Sequence, residues 1–474
     1  MTNWSRTVAI AVAAIPLAIG VAGGCSGALE EAGTDDGGDV DAAPDGTRPK
    51  PSRGGAADAR VDSSAGPPTG KTIPAGWSLF ADYDPACGFY IPDDKAHLPE
   101  PYRWESCSVL EAGHGMPGPD SMDCRRMVTD WQAAEGPNLL VESAAEVVDG
   151  KARLEVTRIV GDIGYVVVAD ADGPVHNSLL LTGGCGIKPG SMNGGKAVYR
   201  IYDSDNDFTI GGAIGGSVDS LQPVVYLPKG HRSTSTFSQQ FDIGARYLVE
   251  EVGSADPVYA LDSMTQIATI AVAPEDFGMI YAGYRFSGDD VFWEGGTSIR
   301  SAVKVWTRAG GVKTLVGWPN DYTRSASGIG TDGVDMVWLE ENGLISEGIY
   351  SDYQVWTAKY STDPAAVATN KRHVLADTLG SYSERFVVGC GYAAIAIHPN
   401  TDWGQAYGVR VVRLADGVSW TVYNESAPQV SDLVIQRPLA VTCDEVFARG
   451  LSKRTDDELV RIRIDSLGPG IAPQ

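Results

Sequence analysis

Two stretches, Gly288-Asp-Asp-Val-Phe-Trp293 and Gly333-Val-Asp-Met-Val-Trp338, are variants of one sequence pattern. Each leads through a polar loop into a second run, which is Val303-Lys-Val-Trp-Thr-Arg308 in the first unit and Tyr353-Gln-Val-Trp-Thr357 in the other. The repeat interval is about 45 residues, which is typical of a propeller blade. Runs rich in Val, Trp, Tyr and Thr that alternate with Gly- and Asp-containing loops predict a small antiparallel sheet in each unit.

The run over residues 303–308 indicates that each sheet needs neighbours on both sides. In a strand, Val303 and Val305 lie on one face and Trp306 lies on the other. One sheet cannot bury two apolar faces alone, whereas radial stacking of several sheets covers them and leaves only short, protected edges. The sequence therefore predicts an all-β chain folded as a β-propeller. An ordinary β-sandwich that contains two similar hairpins by chance is the alternative.

Weaker runs of the same kind predict seven blades, with boundaries that are uncertain by several residues. The expected spans are 138–182, 183–230, 231–278, two units between 288 and 377, 392–423 and 445–464. We expect the strand Trp77-Ser-Leu-Phe80 to complete the last blade and close the ring, with six or eight blades as alternatives to seven. Helix is expected near 124–134 and hardly anywhere else.

The segment Val303-Lys-Val-Trp-Thr-Arg-Ala-Gly-Gly-Val-Lys-Thr-Leu315 resembles the strand–turn–strand of TolB-like propeller repeats. In those repeats a strand, a Gly turn and a Leu-ended strand recur. Gly288-Asp-Asp and Asp332-Gly-Val-Asp stand where such repeats usually open with Pro-Asp-Gly. The resemblance implies a propeller fold and carries no catalytic residue over to this chain.

Residues 1–24 have the organisation of a secretory signal peptide. Residues 1–6 contain one Arg, residues 7–21 are apolar, and residues 22–24 are small. The apolar run is shorter than a membrane-spanning helix requires. We therefore expect export of the chain and removal of this segment.

Cys25 follows the small residues directly, and this arrangement resembles the lipobox of bacterial lipoproteins. Ala22 stands where Leu is commonest in that family. The resemblance implies that Cys25 becomes the acylated N-terminus, carrying fatty acids such as palmitate. Ser26, in place of the Asp that retains many such proteins in an inner membrane, implies an outer-membrane destination. The chain is then lipid-anchored and extracytoplasmic, at the outer membrane or cell surface. The alternative is a secreted protein with a free cysteine at its new N-terminus.

Residues 25–72 are predicted to be a disordered tether. Gly, Ala, Asp and Pro dominate this segment, which contains no aromatic residue. Such a composition buries too little apolar surface to offset the entropy lost on ordering. The propeller domain is expected to span 73–474, with 73–137 as a cysteine-containing entry segment.

Six cysteines follow Cys25, and an even number in an exported chain predicts disulfides. Three bonds are expected, and fifteen pairings of six cysteines exist. The Gly/Pro-rich loop between Cys107 and Cys124 favours one bond, and the matching places of Cys390 and Cys443 at strand ends favour a second that staples neighbouring blades. Cys87 and Cys185 remain by elimination. No Cys-x-x-Cys pair occurs and the six His are scattered, so zinc and haem sites are disfavoured.

The charge of the chain disfavours some partners. The formal net charge is −24, and an acidic surface repels nucleic-acid phosphates and anionic lipid headgroups. We therefore expect no nucleic-acid binding, and contact with a membrane through the lipid anchor only.

Two motifs look like ligand sites but lack an essential feature. Asp203-Ser-Asp-Asn-Asp207 has calcium-loop spacing, yet Phe208 stands where that loop needs Gly. Gly328-Ile-Gly-Thr-Asp-Gly333 spells a dinucleotide fingerprint but leads into a strand instead of a helix, so its glycines are interpreted as turn residues. No metal, cofactor or catalytic residue is expected.

Two function classes are consistent with these observations. The favoured one is a non-catalytic, membrane-anchored propeller that binds an envelope protein or a surface polysaccharide through its loops. Trp293, Trp318 and Trp403 lie near loop ends and are candidate anchors for a partner, although packing between blades is the favoured role for Trp293. The alternative is an exported hydrolase, lyase or dehydrogenase with its site in the central channel. A carboxylate–His or metal site at the channel mouth would favour the enzyme.

Overall fold

Short runs rich in β-branched and aromatic residues form strands throughout the described part of the chain. The computed structural model describes residues 73–80, 88–106, 123–128, 139–160, 163–182, 185–203, 211–231, 240–251, 255–271, 283–297, 300–346, 349–377, 386–397, 408–423, 433–452 and 458–473. The strands form seven antiparallel sheets, which are the blades of a β-propeller. The predicted fold class and the favoured number of seven blades are confirmed. The predicted signal peptide, Cys25 and the tether lie outside the described residues.

The bounds of the strands follow the repeat. The entry segment contributes β1 (Trp77–Leu79), β2 (Phe89–Pro92), β3 (Arg103–Ser106) and β4 (Cys124–Val128). Blade 1 has β5 (Leu139–Val148), β6 (Lys151–Val160), β7 (Ile163–Asp170) and β8 (Val175–Thr182). Blade 2 has β9 (Cys185–Asn193), β10 (Lys196–Asp203), β11 (Gly211–Ser217) and β12 (Val224–His231). Blade 3 has β13 (Gln240–Ile243), β14 (Tyr247–Glu251), β15 (Ala255–Ala260) and β16 (Thr265–Ala271).

The repeat that predicted the fold forms blades 4 and 5. Blade 4 has β17 (Arg285–Ser287), β18 (Asp290–Thr297), β19 (Arg300–Thr307) and β20 (Gly311–Val316). Blade 5 has β21 (Arg324–Thr331), β22 (Asp335–Ser346), β23 (Ile349–Lys359) and β24 (Arg372–Asp377). Blade 6 has β25 (Phe386–Gly389), β26 (Tyr392–Ile397), β27 (Gly408–Arg413) and β28 (Ser419–Tyr423), and blade 7 has β29 (Leu433–Val441), β30 (Glu445–Ser452) and β31 (Glu458–Arg463).

Because each blade runs antiparallel from its first strand outward, its connections fall at two ends. At one end, which we call the turn face, first strands turn into second strands and third into fourth, as at 149–150, 194–195 and 288–289. At the other end, the loop face, second strands lead to third strands and each blade leads to the next, as at 317–323. The two faces therefore carry different parts of the sequence.

Apolar side chains fill the spaces between blades, as the two-faced strands predicted. Each pair of neighbouring blades encloses one cluster of buried hydrophobic residues in the described part of the ring. In β19, Val303 and Val305 face blade 5, whereas Trp306 faces blade 3. Radial stacking thus buries both faces of one strand.

Glycine allows first strands to approach each other closely. A Cβ at Gly330 in β21 would lie 2.7 Å from the carbonyl oxygen of Phe386 in β25. A Cβ at Gly389 in β25 would lie 2.2 Å from the carbonyl oxygen of Val441 in β29. Both distances are shorter than van der Waals contact, so a side chain at either position would push neighbouring blades apart.

The ring is closed by β4, and two predictions were wrong here. The last sheet has the order β29-β30-β31-β4-β3, so the entry segment adds two strands to blade 7. The Trp77–Leu79 strand instead lies at the outer edge of blade 1, beyond β2 and β8. The helix expected from Cys124 is the strand β4, because Cys124 packs toward blade 6 and Met127 toward blade 1. Residues 129–134 lie outside the described part.

The C-terminal tail attaches blade 6 to blade 7. Ser419 and Ile471 exchange two backbone hydrogen bonds, with N–O distances of 2.9 and 2.8 Å. The indole Nε1 of Trp420 donates to the carbonyl oxygen of Gly468 at 3.0 Å. The tail therefore covers part of the outer edge of blade 6.

Cys390 and Cys443 form a disulfide, as predicted. Cys390 lies in the two-residue turn between β25 and β26, and Cys443 lies between β29 and β30, so the bond joins blades 6 and 7 at the turn face. Cys124 is also disulfide-bonded. Its predicted partner Cys107 lies outside the described residues, as does Cys87, while Cys185 is the first residue of β9.

Regular α-helix is rare in the described part of the chain. The helix α1 (Pro364–Asn370) connects β23 to β24 and is capped by the Asp363 side chain, which accepts the Ala365 N–H. No helix in the described ranges has the length and apolar character needed to cross a membrane.

Candidate functional site

The connection from blade 4 to blade 5 carries a conspicuous aromatic–cation contact on the loop face. Trp318 in this connection packs against the apolar cluster between the two blades. The guanidinium carbon of Arg324, at the start of β21, lies 3.8 Å from the centre of the Trp318 ring. Tyr322 lies between them in sequence and is 59% exposed. This contact holds the connection against the edge of blade 5.

A second cation reaches the same blade from the opposite end. Lys371 follows α1, and its Nζ lies 4.2 Å from the ring centre of Trp356. The same Nζ donates to Glu340 Oε1 at 2.7 Å, and Arg324 Nη2 donates to Glu340 Oε2 at 3.4 Å. Trp338 Nε1 donates to Glu340 Oε1 at 3.1 Å. Glu340 is only 1% exposed, and these three donors compensate for burying its charge.

A ladder of planar polar groups continues across blade 5 from Arg324. Arg324 Nε donates to Asn342 Oδ1 at 2.9 Å, and Asn342 Nδ2 donates to Asp352 Oδ2 at 3.3 Å. Gln354 Nε2 donates to the same Asp352 oxygen at 2.6 Å. Cross-strand register produces this arrangement, because Arg324 pairs with Asn342 and Asn342 pairs with Asp352. All four side chains are partly exposed.

We call the four ladder residues together with Trp318 and Tyr322 the ladder surface. It offers an exposed aromatic ring, amide groups, a carboxylate and a guanidinium at one edge of a blade. Hydrogen bonds between neighbouring side chains already fix their orientations, so little side-chain conformational entropy would be lost when a ligand binds. Such a surface suits a ligand with alternating apolar faces and hydroxyl or amide groups.

The sequence predicted one member of this surface. Trp318 lies where a partner could approach, although its ring is covered by Arg324 on one side and by the core on the other. Trp293 is 1% exposed in the cluster between blades 3 and 4, so its favoured role in packing is confirmed. Trp403 lies outside the described residues. Tyr322 and Arg324 were missed, although both belong to the polar connection that contains Trp318.

Two carboxyl groups, Glu294 of blade 4 and Glu341 of blade 5, are buried close to β21, the first strand of blade 5. Glu294 Oε2 accepts the N–H of Gly328 at 2.8 Å, and Ser327 Oγ donates to Glu341 Oε1 at 3.1 Å. Burial, and then the nearby Glu294 carboxylate, raise the pKa of Glu341 to about 8, although hydrogen bonds from Ser327 and Ser325 oppose the shift. Gly328 lies at a β-bulge, so the prediction that it is a turn residue was wrong, whereas Gly333 does lie in the turn after β21.

Another carboxyl group with a raised pKa, that of the partly buried Glu251, lies in blade 3. Burial, followed by the carboxylates of Asp242 and Asp256, raises the pKa of Glu251 to about 8. Asp242 accepts the backbone N–H of Tyr284 at 2.9 Å, and Asp256 accepts the Tyr284 hydroxyl. Glu251 and Glu341 are therefore two carboxyl groups for which the folded protein favours the protonated form. Among the described residues, no cluster of His, Cys, Asp or Glu could hold a metal ion.

A chain of charged side chains crosses blade 1 near the turn face. Arg153 lies between Glu146 and Asp170, at N–O distances of 3.4 and 3.2 Å. His176 on β8 lies between Asp170 and Asp219, with both N–O distances at 2.9 Å. The approach of Nε2 to Asp170 falls outside hydrogen-bonding direction, so these two groups are close without a hydrogen bond. His176 lies on β8, the fourth strand counted from the channel, in the outer half of the blade.

Comparison with known proteins gives structural likeness alone. No protein-family model and no curated protein matches the chain. The β-propeller domain of the Trilobed protease from Pyrococcus furiosus is 8% identical, with a TM-score of 0.44 over 69% of this chain and 95% of that one. A protein assigned as TolB from Agrobacterium tumefaciens is 11% identical, with a TM-score of 0.30 over 50% and 83%. The polysaccharide lyase Uly1 is 8% identical, with a TM-score of 0.37 over 68% and 89%.

These neighbours include parts of enzymes as well as a TolB protein, and at this identity the likeness is one of fold. By its own strand order, the chain is a seven-bladed β-propeller with a TolB-like structural neighbour.

Proposed function

We propose that this chain is a non-catalytic binding protein. A lipid on Cys25 holds the propeller at the outer membrane or cell surface, where its loop face binds an envelope protein or a surface polysaccharide. The observation that carries the proposal is the ladder surface, where an exposed ring and pre-oriented polar groups lie on a rigid blade.

The point where the chain enters the propeller supports this arrangement. β1 is antiparallel to β2, and β2 is antiparallel to β8, so residues 73–76 approach blade 1 at its turn-face end. Residues 73–76 thus lie at the end of blade 1 opposite to the loop face. Anchoring also raises the effective concentration of the loop face for ligands on the same envelope.

We expect Cys25 to be the acylated N-terminal residue of the mature protein. Mass spectrometry of the N-terminal peptide should show cleavage before Cys25 and the added fatty acyl mass. Cys25→Ser should abolish both cleavage and acylation, since the thiol is the acceptor. A mature protein with an unmodified or internal Cys25 would contradict the anchor.

Binding through the loop face can be tested in intact cells. A photo-crosslinking residue at Tyr322 should give ligand adducts, whereas the same residue at Val334 should give none. Both positions are 59% exposed, and Val334 lies in the turn between β21 and β22 at the opposite face. The purified domain should turn over no member of a panel of hydrolase and redox substrates. Turnover that one carboxylate or His substitution abolishes would contradict a non-catalytic role.

An exported propeller enzyme is the second candidate function. The observation that favours it is His176, whose imidazole lies between Asp170 and Asp219 as a general base is often held. This set lies near the turn face and away from the channel. If an activity is found, His176→Gln should reduce kcat at least a hundredfold while Lys151→Gln, an exposed change on the same blade, leaves it unaltered.

A further inference from the structure

We infer that the ladder surface binds an uncharged polysaccharide chain, an inference that rests on the proposed function and names its ligand class. Three properties of the surface support this choice over an anionic glycan or a protein segment: its charge balance, its planar hydrogen-bonding groups and its exposed ring.

The charges of the ladder surface are already paired within the protein. Arg324 and Lys371 share the buried carboxylate of Glu340, and the amides of Asn342 and Gln354 bind Asp352. Of the ladder residues themselves, Arg324 carries a positive charge and Asp352 a negative one, so no excess positive charge is left for an anionic chain. The whole protein, with a net charge of −24, would also repel a polyanion at a distance. An uncharged chain meets no such penalty.

The polar groups of the ladder suit sugar hydroxyls. Asn342 and Gln354 each combine a donor and an acceptor, Asp352 accepts, and Arg324 donates from a planar fork. Their spacing follows adjacent strands of one sheet, so a ligand that extends across β21, β22 and β23 can meet them in succession. A polysaccharide presents vicinal hydroxyl groups at regular intervals along its length.

Tyr322 supplies the apolar contact that sugar rings need. Its side chain is 59% exposed and lies two residues before Arg324 on the connection that borders the ladder. An aromatic ring can cover the C–H face of a sugar while its hydroxyl remains at the wet edge. A protein segment would instead be anchored by a pocket for an apolar side chain, whereas at Trp318 the ring is already covered by Arg324.

The test uses glycans from the cells that make the protein, separated by anion exchange into uncharged and acidic fractions. We expect affinity electrophoresis of the acylated or Cys25→Ser chain to show retardation by the uncharged fraction and none by the acidic one. Tyr322→Ala should weaken this retardation at least tenfold, and Arg324→Lys should weaken it severalfold. Val334→Ala, at an equally exposed position on the turn face, should leave it unchanged.

The outcomes separate this inference from the proposed function. Retardation by the acidic fraction alone, or by neither fraction, overturns the inference. If a protein is then found crosslinked to the residue at position 322, the proposed binding role still holds with a protein as the ligand. Retardation by the uncharged fraction together with new reducing ends would keep the ligand class and overturn the non-catalytic role. Equal retardation of the wild type and Tyr322→Ala overturns the site.

Discussion

Loss of the Cys390–Cys443 disulfide is expected to lower the free energy of unfolding by about 2–4 kcal/mol. The bond joins turns of blades 6 and 7 across 53 residues of sequence, with a Cα–Cα distance of 5.0 Å. A cross-link over so long a loop restricts the unfolded chain strongly, by about 4 kcal/mol in the chain-entropy model. Because blade 7 also completes the ring through β4, weakening it exposes the apolar clusters on both of its sides.

Denaturant titration of the Cys390→Ser/Cys443→Ser variant, in the absence of reductant, measures this effect. Either single substitution should reproduce the loss, because the bond needs both sulfurs. Cys390 has a φ of 53°, so a serine there keeps a backbone conformation that costs about 1–2 kcal/mol. The Cys390→Gly/Cys443→Ser variant removes that conformational cost. It therefore separates the stability lost with the cross-link from the stability lost through strain in the turn. Coincident unfolding curves for the oxidised wild type and the double serine variant would disprove the contribution of the bond.

The blades were predictable because their signal is periodic. Trp293 and Trp338 recur about 45 residues apart, and strands such as β19 carry apolar side chains on both faces, which only stacked sheets can bury. Cys390 and Cys443 could be paired because each ends an apolar run in a neighbouring unit. These patterns can be recognised in the sequence before the arrangement of the blades is known.

The closing strand could not be recognised, for a physical reason. In β4, Cys124 and Met127 are buried three residues apart because one contacts blade 6 and the other blade 1. A strand buried on both sides loses the two-residue alternation, and a spacing of three is typical of a helix. The true partner, β31, lies more than three hundred residues away in sequence, and no local pattern reports such a pairing.

The ladder surface could not be predicted from the sequence, for a different reason. Arg324, Asn342 and Asp352 are ordinary polar residues in a chain with 61 Asp and Glu, and only the register of blade 5 brings them together. The same holds for Glu294 and Glu341, which lie on different blades. Burial of a carboxyl group depends on tertiary packing, and a sequence with so many acids gives no sign of which few are enclosed.

Replacing Glu341 by Gln is expected to stabilise the propeller at alkaline pH. The folded protein raises the pKa of Glu341 from its ordinary value of 4.5 to about 8, chiefly because the carboxyl is buried and then because Glu294 lies nearby. Its proton is thus held more tightly in the folded than in the unfolded state. The contribution of this proton to stability is complete below about pH 4.5, falls as the pH rises and is lost above about pH 8.

Glutamine keeps the acceptor for Ser327 and cannot ionise, so the Glu341→Gln variant should lack this loss. Between pH 5 and pH 9 the wild type should lose about 2–4 kcal/mol more stability than the variant, as measured by denaturant titration across that range. Glu251→Gln, in blade 3, should act in the same direction and additively, because the two groups share no contact.

The neighbouring residue provides the opposite control. Glu340 is equally buried, but Lys371 and Arg324 neutralise its charge, so Glu340→Gln leaves two cations without their carboxylate and should destabilise the protein at neutral pH. The opposite signs of Glu340→Gln and Glu341→Gln would distinguish a paired buried carboxylate from one that must stay protonated. If the wild type and Glu341→Gln lose stability in parallel between pH 5 and pH 9, then Glu341 ionises in the folded protein without cost, and its pKa is not raised by burial.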